Sequence, residues 1–490
     1  LQAAAKLLPL AQKDFWSIMN RGPLLVSLLC LTGGVAHGED LLAVYDRALL
    51  NDPQIREAEA IRMAAMEAKP QALASLLPQF SGTGNRSRAW SDTTGSTTNV
   101  LTNNTTQQIN TTGSSTSDTT NWGLNLRQNL FSWANWANLK AASHTVAQAE
   151  ANYLVARQAL AQRVATQYFA VLSAQDVVEA QMAARDAFQR QLEQAEKRFE
   201  VGLTAITDVQ DARAARDSSR AAVIVAKRSL ANAQEVLRAT VGEKYDVLNK
   251  PADTMPLLTP APANEEDWVK ISMDQNATLL SSRLAADIAR DQVGVAFSGH
   301  LPTIDLVAGR TYSKTDTTRT VPTTSFPLPT ESEGYGKSIA LQVTVPIYSG
   351  GATQSRVRQT QYTWIAAKER LERSSRETER LARDSFQAVN SGISQVQALK
   401  QALSSSQTAL KATEAGYEVG TRTAVELLDS RRLLIAAQTN YSQSRYSYLN
   451  SLVQLRLASG DIDRATLEEI NRWLTVTTNT SAADTPPPSP

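Results

Sequence analysis

The chain has 490 residues, is 42 % hydrophobic and only 6 % aromatic, and carries a formal charge of +1. A balance so near zero leaves no electrostatic basis for binding nucleic acid. No uninterrupted apolar run reaches the ~18 residues that mark a transmembrane helix.

The N-terminal stretch reads as an export signal. Met19-Asn20-Arg21 supplies a start and a positive charge, Leu24 to Leu31 a short apolar core, and Ala36-His37-Gly38 small residues at the cleavage spacing. Cleavage is expected after Gly38, with residues 1–18 as upstream translated sequence or a misplaced start. The single cysteine, Cys30, lies inside this signal, and Leu29 before it is not the small residue that lipidation requires. Disulfides, thiolate metal sites and cysteine nucleophiles are therefore excluded from the exported part.

From Asp40 to about Ala74 the pattern is helical, with breaks at Asp52-Pro53 and Pro70. Residues 79–92 and 120–131 read as strands around a Thr/Asn/Ser/Gly tract, Ser91 to Thr120, whose composition is that of a surface loop. Residues 132–200 are almost free of Gly and Pro, which gives a helix of ~100 Å. A break at Val201-Gly202 separates it from a second helix, and the first unit spans 39–250. After a Pro-rich linker, 251–264, the order repeats over 265–474: helix 265–298, strands 302–316 and 337–348 around a Thr/Ser/Pro loop 317–336, then a long helix from Ala352 to Tyr417. Residues 475–490 end in Pro-Pro-Pro-Ser-Pro and are expected to be a disordered tail.

The two units are copies of one text. Arg198-Phe-Glu-Val-Gly-Leu-Thr-Ala-Ile-Thr-Asp-Val returns 218 residues later as Gly416-Tyr-Glu-Val-Gly-Thr-Arg-Thr-Ala-Val-Glu-Leu. Leu130-Phe131-Ser132 matches Ile347-Tyr348-Ser349, and Leu77-Pro78-Gln79 matches Leu301-Pro302-Thr303. A period this long is duplication of a whole structural half rather than a solenoid repeat.

The strands alternate. Ile339, Leu341, Val343, Val345 and Ile347 fall on one side, Ala340, Gln342 and Thr344 on the other; Trp122, Leu124, Leu126 and Leu130 alternate with Gly123, Asn125, Arg127 and Asn129. This fits a membrane β-barrel with a wet lumen, and equally a sheet with one buried face in water. The export signal and the aromatics at strand ends (Trp90, Phe131, Trp133, Trp136, Tyr348) favour the barrel. Four strands cannot close a barrel in lipid, so several chains must contribute. Three copies make twelve strands. In the first long helix, Leu154, Ala161, Val164, Tyr168 and Val171 form a seam whose many alanines permit close helix packing.

The stretches Val201-Gly-Leu-Thr-Ala-Ile-Thr-Asp-Val-Gln-Asp-Ala-Arg and Tyr417-Glu-Val-Gly-Thr-Arg-Thr-Ala-Val-Glu-Leu-Leu-Asp closely resemble the paired signatures of the TolC family of outer-membrane efflux and type I secretion proteins. Leu76-Leu-Pro-Gln, Gly299-His-Leu-Pro-Thr-Ile-Asp-Leu and Val345-Pro-Ile-Tyr-Ser-Gly-Gly agree, and the resemblance covers about residues 39–470. It is to the branch that gives the family its name rather than to the lipid-anchored drug-efflux relatives.

The resemblance implies a mixed α and β homotrimer. A β-barrel of four strands per chain sits in the outer-membrane lipid, continuous with a long periplasmic α-helical barrel, with a small mixed α/β region around its middle. The implied partners are a periplasmic adaptor protein and an inner-membrane transporter of ABC, RND or MFS type, and the implied work is export of proteins or small toxic compounds. Glu426 and Asp429, three apart on one helix and so on one face, match positions that form stacked acidic rings at the pore entrance, an arrangement that favours cations. Taken alone, two acids so spaced are an ordinary solvated helix face. Glu426 departs from the family pattern, which has Asp. Thr207, Asp208, Tyr417 and Arg422 match positions that tie the inner helix pair to its neighbours, and Gln191 with Glu414 a further linking pair. The tips Val201-Gly202-Leu203-Thr204 and Val419-Gly420-Thr421 match the adaptor contact, and their glycines also suit the left-handed turn at a helix end.

No enzyme, cofactor or metal is expected. After cleavage only His144 and His300 remain, with no Gly-x-Ser-x-Gly elbow, P-loop or metal-spaced cluster. The alternatives are a passive outer-membrane porin or receptor, for which the helices have no use, and a surface adhesin with a coiled-coil stalk facing outward.

Overall fold

The structure, a computed structural model, describes residues 39–100, 106–320 and 327–479. The export signal and residues 480–490 lie outside them. Three helices open the chain: α1 (Leu41–Asn51), α2 (Pro53–Met66) and α3 (Ala68–Ala74). The Asp40 carboxylate caps α1 by accepting from the Ala43 N–H at 2.7 Å. Asp52 caps α2, where Pro53 takes the first helical position. The second break falls at Glu67, not at Pro70: Pro70 sits in the first turn of α3, where a missing N–H costs nothing.

Strands β1 (Gln79–Val100) and β2 (Thr106–Phe131) lead into α4 (Trp133–Glu200) and α5 (Ile206–Val241). β3 (Val247–Pro251) closes the first copy. The second runs α6 (Glu265–Gln275), α7 (Ala277–Phe297), β4 (Thr303–Thr320), β5 (Pro327–Thr344), α8 (Ala352–Glu418), α9 (Ala424–Ser459), α10 (Arg464–Asn471) and β6 (Leu474–Asn479).

Four expectations about the strands need correction. Of the expected loop Ser91–Thr120, residues 91–100 and 106–120 are strand, β1 and β2 pairing without interruption from Gln79↔Arg127 to Val100↔Thr106; of the expected 317–336 loop, residues 317–320 and 327–336 are likewise strand, β4 and β5 pairing as far as Thr320↔Pro327. β-branched threonines suit the pleat and the ladder satisfies the backbone, so no apolar face is needed. At its other end β5 stops at Thr344, short of 348. Residues 474–479, placed partly in the tail, pair with β3 from Val247↔Asn479 onward, and Glu39 adds a parallel bridge to Leu248.

The large sheet has the order β1-β2-β4-β5, all antiparallel, so the two copies meet along β2 and β4. Within it Phe80, Leu126, Ala308 and Ile339 stand in register on one face. On the other, Asp305 accepts from Arg127 at 2.9 Å and Asn129 at 3.0 Å. The long helices pair as hairpins, α4 with α5 and α8 with α9, and α4 also lies along α7 and α9. The main core sits midway along them, where Tyr168, Phe169, Tyr446 and Tyr448 are buried among Leu41, Val44, Leu248 and Leu474. Of the predicted seam, Ala161, Val164, Tyr168 and Val171 are buried, whereas Leu154 is exposed. Gly460 ends α9 at φ 79°, and a Cβ there would meet the Gln275 carbonyl oxygen at 2.5 Å, so the end of α6 can approach only a glycine. Among the described residues no helix is long and apolar enough to cross a membrane.

Candidate functional site: the helix-hairpin tips

Both long hairpins turn at a glycine in the left-handed region, Gly202 at φ 75° and Gly420 at φ 79°, with open space around each. At the first tip the Gly202 N–H donates to the Phe199 carbonyl at 2.9 Å and the Leu203 N–H to Arg198 at 2.8 Å. At the second, the Thr421 N–H and Oγ1 both donate to the Gly416 carbonyl, at 2.8 and 3.1 Å. These bonds satisfy carbonyls that a helix end leaves without partners. Val201, Leu203 and Val419 are 68 %, 69 % and 75 % exposed, so each tip presents bare apolar surface.

α9 opens with a capping box. The Glu426 N–H donates to Thr423 Oγ1 at 3.3 Å, and the Glu426 carboxylate accepts from the Thr423 N–H at 3.2 Å. The same carboxylate lies 3.6 Å from the Arg422 guanidinium. One turn on, Asp429 lies 3.3 Å from Arg432. Each acid of the expected ring thus has an arginine beside it, Arg422 from the turn before α9 and Arg432 from α9 itself, and all four side chains are substantially exposed.

The expected linking residues are only partly brought together within one chain. Tyr417 is buried with Ala424 and Leu427, and the Arg198 guanidinium covers its ring at 4.9 Å, joining the tip of one hairpin to the other. Asp208 accepts from the Thr204 hydroxyl instead of meeting Arg422. Thr207 stands exposed in the first turn of α5. Gln191 is buried and its Oε1 has no partner among the described residues. Its expected mate, Glu414, pairs with Arg431 at 3.1 Å, while Arg431 also donates to the Ala187 carbonyl at 3.0 Å. Sequence reasoning passed over Arg198 and Arg431. The pair Arg431-Arg432, which follows Asp429-Ser430, was the available signal. Among the described residues no group of three metal-ligating side chains comes together.

The outer membrane efflux protein family matches residues 44–243 and 268–461, one match on each copy of the repeat. The chain is 35 % identical over 456 residues to the outer membrane protein TolC of Vibrio cholerae, covering 93 % of this chain and 98 % of that one. It is 34 % identical over 479 residues to TolC of Escherichia coli, covering 96 % and 92 %. The crystal structure of the Campylobacter jejuni CmeC outer membrane channel superposes with a TM-score of 0.66 at 18 % identity, covering 92 % of this chain and 95 % of that one. A duplicated strand-pair and helix-hairpin unit, matched twice over and shared with relatives along nearly their whole length, makes this chain a member of the outer membrane efflux protein family.

Proposed function

We propose that the chain is the exit duct of a type I secretion or multidrug efflux assembly, working as a homotrimer with a periplasmic adaptor and an inner-membrane transporter. The observation that carries this reading is the large sheet. It has an apolar face, yet β1 and β5 each pair on one side only. In lipid those two edges would leave a row of unsatisfied backbone groups. Setting β1 of one copy against β5 of the next removes both edges and closes a twelve-stranded barrel. The helices α4 and α8, each ~100 Å long, with their shorter hairpin partners α5 and α9, then hang from the barrel and surround a channel through the periplasm.

In this reading the tips form the entrance. Glu426 and Asp429 line it, Thr207, Asp208, Tyr417, Arg422, Gln191 and Glu414 hold the hairpins in place, and the apolar surface of Val201, Leu203 and Val419 receives the adaptor. Opening is a sliding of one hairpin against its neighbours rather than a chemical step. The test is protease added to intact cells, combined with gel mobility of heated and unheated protein. A heat-sensitive trimer whose residues 150–230 are protected is expected. Extensive cleavage of that region from outside would overturn the duct reading in favour of an outward-facing stalk.

A further inference from the structure

The apolar face of the large sheet ends at a row of cations. Along β4, Ile304, Leu306 and Ala308 are followed on the same face by Arg310 and then Tyr312; along β5, Val343, Leu341 and Ile339 are followed by Lys337 and then Tyr335. Arg310 and Lys337 are direct cross-strand partners. Such partners have Cβ atoms ~5 Å apart, and like charges placed so repel. Both side chains are exposed, and neither forms an ion pair among the described residues. Farther out the sheet behaves differently: Lys314 pairs with Glu331, and Arg88 with Asp118. The unneutralised pair is therefore particular to this row.

The next row out is aromatic. Trp122 stacks on Tyr312 at 5.7 Å between ring centroids, and Tyr312 meets Tyr335 at 4.9 Å. Beside Trp122, position 84 of β1 is a glycine with nothing within 4 Å of where a Cβ would stand, so the platform continues as an open trough. From Thr303 to Arg310 the strand advances ~24 Å, which at the ~40° tilt of a barrel strand is ~18 Å along the membrane normal, within the ~25 Å apolar band. The cations thus stand in the outer part of that band, on the side away from the helices, with the Tyr312–Tyr335 row about 5 Å farther out, at its rim. Their long side chains can reach past the aromatic row while their stems remain on apolar surface.

We propose that Arg310 and Lys337, with the Trp122–Tyr312–Tyr335 platform, bind the phosphorylated sugar headgroup of an outer-leaflet glycolipid. The guanidinium and ammonium groups hold the phosphate, and the aromatic faces carry the sugar rings. This rests on the reading of the sheet as a barrel wall with the helices in the periplasm.

The test uses the full-length trimer in detergent micelles, with a bisphosphorylated glucosamine-disaccharide lipid as probe and retention read by native mass spectrometry. Binding to the unaltered protein is expected, and about tenfold less binding to Arg310→Gln/Lys337→Gln. The dephosphorylated lipid should bind the unaltered protein as weakly, an arm that needs no variant to fold. Millimolar inorganic phosphate should not displace the lipid. Equal retention of both lipids, or undiminished binding by a folded double variant, overturns the proposal. So does full displacement by phosphate, which would make the row a free-anion site. Conductance in planar bilayers separates the two layers of argument. A conducting trimer without lipid discrimination sinks only the lipid site, whereas protein that never conducts removes the barrel beneath it.

Discussion

Asp429 Oδ1 lies 3.3 Å from Arg432 Nη1, three residues along α9 from it and on the same side as Glu426. With Arg422 beside Glu426 from the turn before α9, the charges read plus, minus, minus, plus from the tip into the helix. Exposed pairs of this kind contribute little to stability, about 0–1 kcal/mol, but they change the charge seen by an ion. In the proposed trimer two acidic rings lie between two basic ones. Arg432→Gln should raise cation preference, and Glu426→Ala with Asp429→Ala should reduce it. Reversal potentials across planar bilayers in a salt gradient check both. If neither variant moves the potential, these residues do not line the entrance.

Glu426 also holds the start of α9 through its capping box with Thr423. The glutamate side chain is long enough to reach back to the Thr423 N–H. Thr423→Ala should destabilise the first turn by about 1 kcal/mol. Amide hydrogen exchange should quicken at Glu426 and Leu427 while the centre of α9 is unaffected. Unchanged exchange there would show that neighbouring packing, not the cap, holds the tip.

The long helices, their glycine tips and the doubling were legible because they rest on local signals: absent Pro and Gly, then a left-handed turn. The hairpin through Ser91–Thr120 was not. A ladder of Thr, Ser and Asn with no buried face has no two-residue hydrophobic period to read. Residues 474–479 were missed because their partner, Val247–Pro251, is far away in sequence. At the site, the acidic pair and Tyr417 stood out in the repeated motif. Arg198 and Arg431 did not, since the Tyr417 ring and the Ala187 carbonyl that they meet come from the other hairpin.

Tyr168 shows how the middle of the duct is held. Its hydroxyl donates to the Asn249 carbonyl at 2.7 Å and accepts from the Asn249 N–H at 3.0 Å, tying β3 to α4. Burial pushes its pKa far above the ordinary tyrosine value, so the hydroxyl keeps its proton. Tyr168→Phe preserves the ring but removes the hydroxyl's two bonds to Asn249, whose N–H also donates to the Glu39 carbonyl at 3.3 Å, at a cost of about 0.5–1.5 kcal/mol per bond. The variant should unfold at lower denaturant concentration than the unaltered protein. An unchanged midpoint would mean that water or a shifted strand replaces the hydroxyl.

At the hairpin tips, the contact between Arg198 and the Tyr417 ring joins the two hairpins within one chain. Tyr417→Phe keeps that ring, so by itself it should loosen the tip little. Combined with Arg422→Ser, which also removes the charge beside Glu426, it should raise single-channel conductance. Arg198→Ser removes the cation from the buried ring, an interaction of roughly 0.5–2 kcal/mol. If this contact helps keep the entrance shut, Arg198→Ser should widen the channel more than Tyr417→Phe alone, and adding Tyr417→Ala to it should bring little further increase, because both act on one contact. Additive increases in conductance would show instead that the two residues restrain the tip separately.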